Sequence, residues 1–377
     1  MIPFDFFYNA FNNNFLKKLD CNFFYISITE KDGNYVPWLV KNINNPRSEN
    51  TILFYDQEPL DLRPSHNNLN IVTNYFKFSQ TPNRVLVTSE YSTEADLLAR
   101  NLKSNHAHYF FHGLMCHEWY RPYWFKNIEV NYDFDRTYIT YNNLTLDKRL
   151  YRMNLVSDLY KSDIIDQGYV SYNPPQIDEI VNSVNSYTVL PSSHKANILD
   201  NLETLSKPLR IDVEPRGTLS AEINVPDMQK AFVNIVTETI FYENKVHLTE
   251  KIFKPIIAKM PFLLMAGSGN LQYLKRYGFK TFNDYWDESY DDIVNTTNRF
   301  DAVMNILKHL CNLPHHELVD MKRDMTNILE HNFNHFYRDM REIVVDEFTS
   351  NFGESMLATN IPFDQRDLDN LNRVLKF

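Results

Sequence analysis

Residues 231–282 read AFVNIVTETIFYENKVHLTEKIFKPIIAKMPFLLMAGSGNLQYLKRYGFKTF. An apolar run at 232–236 is followed by Glu238 and then by a polar stretch. Thr249, Glu250 and Lys251 open a helical segment, and Thr is a good helix cap. A second apolar run, 261–266, ends in Gly267-Ser268-Gly269 and leads into another helix. Strand, helix, strand, helix in this order is the pattern of a parallel α/β unit. In open parallel sheets, ligands bind beyond the carboxyl ends of the strands, so polar residues just after each apolar run are the first candidates for chemistry. Glu250 and Lys251 stand at a helix start, where backbone N–H groups favour anions; this suits a nucleotide diphosphate. Pro255 falls where that helix wants an N–H, which predicts a kink or a displaced start.

The same alternation runs through the rest of the chain. Residues 51–55 (TILFY), 84–88 (RVLVT) and 108–111 (HYFF) read as buried strands of a first domain. Ser92 or Thr93 caps a helix running to about Lys103. Residues 138–141 and 168–172 read as strands of a second domain, with a helix over 147–160 between them. Residues 125–136 are irregular and polar, as an interdomain crossing would be. Residues 174–220 show no clear pattern, and 321–348 are strongly helical. The expected fold class is α/β, with two doubly wound Rossmann-type domains facing across a cleft. The expected boundaries are 1–130, 131–350 and a tail, 351–377, crossing back to the first domain.

Composition narrows the function classes. A chain of 377 residues fits two domains of average size, and 43% hydrophobic residues supply a real core. The formal net charge of −10 argues against a protein that grips nucleic acid mainly by neutralising phosphates. Cys21, Cys116 and Cys311 have neither pairing nor metal-ligand spacing, which fits a reducing compartment. The most apolar stretch, 252–266, contains Lys254, Pro255 and Lys259 and is too short to span a bilayer. The expectation is therefore a cytoplasmic protein without a membrane span. Asn, Tyr and Phe are plentiful while glycine is scarce, a bias that an AT-rich genome such as a phage's would produce.

The order of elements in 231–282 resembles the donor-binding half of GT-B glycosyltransferases, and most closely the inverting alpha-1,3-fucosyltransferase type. Those enzymes carry a Phe-Glu-Asn element, then Thr-Glu-Lys, then a helix and a Val-Pro-type strand. The acidic, aromatic stretch 279–292 (FKTFNDYWDESYDD) is similar to one in phage-encoded glycosyltransferases, and structural or lid duty is expected of it. Two features depart from the fucosyltransferase pattern. The interval from Glu238 to Glu250 is longer, and Glu243-Asn244 competes with Glu238 for the Glu-Asn role. The resemblance implies a metal-independent, inverting transfer from a UDP- or GDP-linked sugar, with no cofactor beyond that donor. The N-terminal domain would take the acceptor and the C-terminal domain the nucleotide sugar.

The polar residues at strand ends fall into this scheme. Asp56-Gln57-Glu58-Pro59 follows the strand at 51–55. Transfer needs a base for the acceptor hydroxyl, and Glu58 before a proline resembles the family's Glu-Ser-Pro element; Asp56 is the second candidate. His112 and Trp119 are expected on the acceptor side, with Trp119 stacking on a sugar or base. Asn142 follows the strand at 138–141, and Arg149 and Arg152 come three apart on the next helix. The family holds the diphosphate with an Arg at this place, and Arg152 matches it best. Lys251 would hold the leaving diphosphate, Glu250 the ribose diol, Glu238 the donor sugar or nucleotide, and Gly267 a phosphate.

Rival readings have their own residues. A metal-dependent GT-A enzyme needs Asp-X-Asp, and both Asp133-Phe134-Asp135 and Asp367-Leu368-Asp369 match literally. A non-catalytic protein would keep the fold only to bind a nucleotide sugar or to assemble. The acceptor is a glycan or lipid-linked sugar, or a hydroxymethylated base in phage DNA, flipped out to be reached. The histidines at 106, 108, 112 and 117 form no defined metal-ligand set.

Overall fold

A computed structural model of the chain describes residues 4–31, 34–60, 81–211 and 221–375. The fold is mixed α/β with parallel sheets, and it divides into two compact units. The first comprises Met1–Met115 and Met340–Phe377, the second Cys116–Asp339. The unit edges thus fall at 115/116 and 339/340, so residues 116–130 pack with the second unit and 340–350 with the first.

In the first unit, β1 (Cys21–Lys31), β2 (Asn34–Asn42), β3 (Asn50–Tyr55), β4 (Asn83–Thr88) and β5 (Asn105–His108) form one sheet in the order β2-β1-β3-β4-β5. β1, β3, β4 and β5 run parallel, and β2 returns antiparallel along β1. Sequence reading placed a strand at 108–111; the strand ends at His108 and a helix, Phe111–Trp119, starts three residues later. One aromatic run there serves both a strand end and a helix start, and hydrophobicity alone does not separate them. Ser92 caps the helix Thr93–Asn101, its hydroxyl accepting from the Ala95 N–H. The helix Met340–Ala358 belongs to this unit and packs on β5. Its Ser355 and Asn351 donate to the carbonyls of His106 and His108, both at 2.8 Å. That satisfies carbonyls of an edge strand that would otherwise be open to another chain. Phe348 and Phe352 of the helix join Phe11, Phe23 and Phe54 in an aromatic core.

In the second unit, β6 (Arg136–Asn142), β7 (Gly168–Tyr172), β8 (Ala231–Thr237) and β9 (Phe262–Met265) form an all-parallel sheet in the order β7-β6-β8-β9. Every residue of β8 is buried, as a central parallel strand requires, which is why it reads as an apolar run broken only by Asn234. The expected helix over 147–160 is shortened. Asp147 has φ +53° and begins a 3₁₀ turn, Asp147–Arg149, and the α-helix proper is Tyr151–Lys161. Residues 177–205, unreadable in sequence, hold helices at Ile177–Ser186, Ser192–Asp200 and Leu202–Leu205. Among the described residues no helix is long and apolar enough to cross a membrane.

Candidate functional site

A cluster of polar groups in the second unit lies at the carboxyl ends of β6, β8 and β9. The strand ends are tied together directly: the Thr237 hydroxyl donates to the Tyr141 carbonyl at 3.0 Å, and the Glu238 N–H to the Met265 carbonyl at 3.0 Å. The helix Glu250–Ile257 starts beside them with Thr249 as its cap, so the start stands where the sequence put it. It runs on through Pro255 without the expected displacement. The missing proline N–H only relieves the Lys251 carbonyl of its helix partner, one turn from the start.

Glu238 is fully buried, and its carboxylate receives both the N–H and the hydroxyl of Thr249, at 3.1 and 2.5 Å. It thereby fixes the loop that delivers the helix start. Burial pushes its carboxyl above the usual range, against the pull of Lys251 and the Thr249 hydrogen bonds. Of the two Glu candidates, Glu238 is the one that touches Thr249. Glu243 instead pairs with the buried Lys245 at 3.2 Å and accepts from Tyr187. The Lys251 ammonium donates to Thr249 Oγ1 at 3.0 Å and to Glu250 at 2.9 Å, and its side chain keeps 28% exposure. Lys251 is thus a positioned cation that still meets solvent, next to a carboxylate at the same helix start.

The fold uses Arg152 differently from the sequence expectation. It is 3% exposed, and its guanidinium donates to the carbonyls of Leu144 (2.7 Å), Thr237 (2.7 Å) and Glu238 (3.0 Å). Tyr151 also donates to the Glu238 carbonyl. A fork occupied on both nitrogens by main chain is a brace for the β8 end, not a free phosphate clamp. Arg149 sits half-buried in the 3₁₀ turn, and Asn142 is buried at the end of β6, donating to Thr140 Oγ1 at 3.3 Å. A second brace escaped sequence reading. Arg299, 2% exposed, donates to the carbonyls of Phe241, Ala266 and Ile293, and burial lowers its pKa to about 10. Its sequence neighbours, Thr296-Thr297-Asn298 before and Phe300-Asp301 after, do not mark it as buried.

Gly267 is a packing residue. A Cβ there would lie 2.7 Å from the Lys245 carbonyl and 3.0 Å from that of Glu243. The helix that follows, Asn270–Arg276, already has its Leu271 and Gln272 N–H groups bonded to the Asp291 carboxylate at 2.9 and 2.8 Å. Main-chain oxygens cannot retreat as side-chain tips do, so Gly267→Ala is expected to cost about 1–3 kcal/mol. A lower urea midpoint at unchanged slope would show this; an unchanged midpoint would contradict the close approach. The stretch 279–292 is likewise structural. Glu288 is buried and accepts from Thr281 (2.6 Å) and the Phe282 N–H (2.7 Å), and Trp286 and Tyr290 are in the core.

In the first unit, Asp56 follows β3 as expected but is wholly buried. Tyr8 donates to one carboxylate oxygen and Tyr109 to the other, both at 2.5 Å. With both oxygens engaged, it is no candidate for taking a proton from an acceptor. Burial raises its pKa to about 7, against the lowering effect of the two phenols. The folded state therefore holds the proton more tightly than the unfolded chain between about pH 4 and pH 7. Stability from this group is full below that window and is lost as pH rises through 7. Wild type should lose on the order of 3 kcal/mol relative to Asp56→Asn between pH 4 and pH 8, read from urea unfolding at each pH. A difference constant with pH would contradict the shift. Glu58, two residues on, is half-buried on the same loop. His112 is buried in the first unit and Trp119 is buried in the second.

The Asp-X-Asp matches lie away from the carboxyl ends of the strands. Asp133 and Asp135 are exposed and precede β6, at the amino end of its sheet, and Tyr169 donates to Asp135. Asp367 and Asp369 are on the helix Gln365–Leu375. His106 bridges Thr88 (2.7 Å) and Asp96 (3.1 Å), and His108 stacks on Tyr91 with ring centres 3.6 Å apart. Among the described residues no group of three or more His, Cys, Asp or Glu is placed to hold a metal ion. No protein-family model matches this chain, and comparison with curated proteins gives no match.

Proposed function

We propose that the protein is a glycosyltransferase that moves a sugar from a nucleotide diphosphate donor to an acceptor hydroxyl. The observation that carries this reading is the joining of Glu238 to Thr249, which presents the partly exposed Lys251 and its partner Glu250 at the carboxyl ends of β8 and β6. In a parallel sheet that is where ligands bind. The donor diphosphate would lie against Lys251, and the nucleoside against Glu250. As the bond from the sugar carbon to the diphosphate breaks, negative charge builds on the leaving group. A fixed ammonium and helix-start N–H groups stabilise that charge more in the transition state than in the ground state. The acceptor hydroxyl attacks the same carbon and passes its proton to Glu58 of the first unit, giving inversion. A GT-B-like relation of two doubly wound units belongs to this reading, with a glycan or a hydroxymethylated DNA base as acceptor.

Incubation with a panel of UDP- and GDP-linked sugars, with and without glycan and modified DNA, tests it by the nucleotide released. Release with one donor, raised by one acceptor, is expected; no hydrolysis or transfer with any donor would sink the enzyme reading. Donor binding without turnover would point to the non-catalytic alternative.

A further inference from the structure

We propose that Lys254 is a second cation of the donor site, gripping the diphosphate beside Lys251; this rests on the reading of that site as a nucleotide diphosphate site. Lys254 lies three residues after Lys251 and four after Glu250 on the helix Glu250–Ile257, so the three share one helix face. The groups that act on its ammonium electrostatically are Glu250, Lys251, the buried Cys116 and the exposed Glu222. Lys251 is held by Thr249 and Glu250. Lys254 is half-buried, yet its ammonium makes no hydrogen bond or ion pair among the described residues.

An ammonium that has lost part of its water without gaining a counter-ion weakens the fold. Burial lowers its pKa, opposed by Glu250, Cys116 and Glu222. An anion arriving at the face shared with Lys251 would supply the missing partner. The charge balance of the site points the same way. With Arg152 committed to main-chain carbonyls, Lys251 alone would face a multiply charged diphosphate while already sharing its charge with Glu250. Two ammonium groups about one turn apart suit an anion with two charged centres.

The test uses inorganic pyrophosphate in metal-free buffer, read by calorimetric titration and thermal melting, on wild type, Lys254→Met and Lys254→Arg. Wild type and Lys254→Arg should bind and be stabilised. Lys254→Met should bind about tenfold or more weakly, the usual effect of removing a charged hydrogen-bond donor. Without ligand, Lys254→Met should melt at or above wild type, because it removes a half-buried charge that no hydrogen bond or ion pair holds among the described residues. Pyrophosphate affinity equal in Lys254→Met and wild type, no binding to wild type, or a Lys254→Met melting point well below wild type would each overturn the assignment. The nucleotide-release assay run in parallel separates the two claims. Loss of pyrophosphate binding in Lys254→Met with no turnover of any donor keeps Lys254 and removes the transferase. Turnover that Lys254→Met leaves unchanged does the reverse.

Discussion

Lys251→Ala is expected to slow nucleotide release from the sugar donor about 100- to 1000-fold, the usual cost of deleting one preorganised group that meets charge developing in a transition state. The loss should fall mainly on kcat, because charge on the diphosphate grows only as the glycosidic bond breaks. Folding should be nearly unaffected. Lys251 keeps 28% side-chain exposure, and its ion pair with Glu250 is the partly solvated kind that contributes little to stability. Lys251→Arg should recover part of the rate, since charge is kept while the compact ammonium geometry is not. A Lys251→Ala enzyme with wild-type kcat would remove Lys251 from the chemistry.

Arg152→Ala is expected to destabilise the second unit by on the order of 4 kcal/mol. Its removal strips a charged donor from three main-chain carbonyls, Thr237 and Glu238 at the end of β8 and Leu144 just after β6, and a buried acceptor left unsatisfied costs about 1–3 kcal/mol. Urea unfolding monitored by far-ultraviolet circular dichroism measures this. An arginine held free for a phosphate would behave otherwise: truncation would leave stability within about 0.5 kcal/mol and weaken only donor binding. Arg152→Lys should rescue little, because a single ammonium cannot reproduce a planar fork spanning Leu144, Thr237 and Glu238.

These two residues show where sequence reading succeeded and where it stopped. Strands β3, β4, β6, β7, β8 and β9 are legible because buried parallel strands leave continuous apolar runs bounded by polar turns. The cap at Thr249 is legible because a hydroxyl before an acidic first turn is a local device. The hairpin of β1 and β2 was missed although Asp32-Gly33, between the two strands in sequence, is a strong two-residue hairpin signal; the long strands of mixed polarity on either side obscured it.

At the site, the joining of Glu238 to Thr249 is decided by packing; sequence reading assigned Glu238 to the donor instead. The choice between Glu238 and Glu243 is decided by packing too. An arginine after a strand end reads the same whether it reaches a phosphate or folds back on carbonyls. Here it folds back, onto the carbonyls of Leu144, Thr237 and Glu238. Asp56 misled for a related reason. A carboxylate after β3 reads as available, whereas Tyr8 and Tyr109, 48 and 53 residues away in the chain, converge on it.

Hydrogen exchange read by mass spectrometry, with and without saturating UDP or GDP, tests the placement of the donor most directly. The account predicts that one nucleotide slows exchange in peptides covering 237–254, where Glu238, Thr249, Glu250 and Lys251 meet, and that Lys251→Ala weakens this protection. Binding that leaves those peptides unchanged and protects another surface, or no protection by either nucleotide, would contradict it.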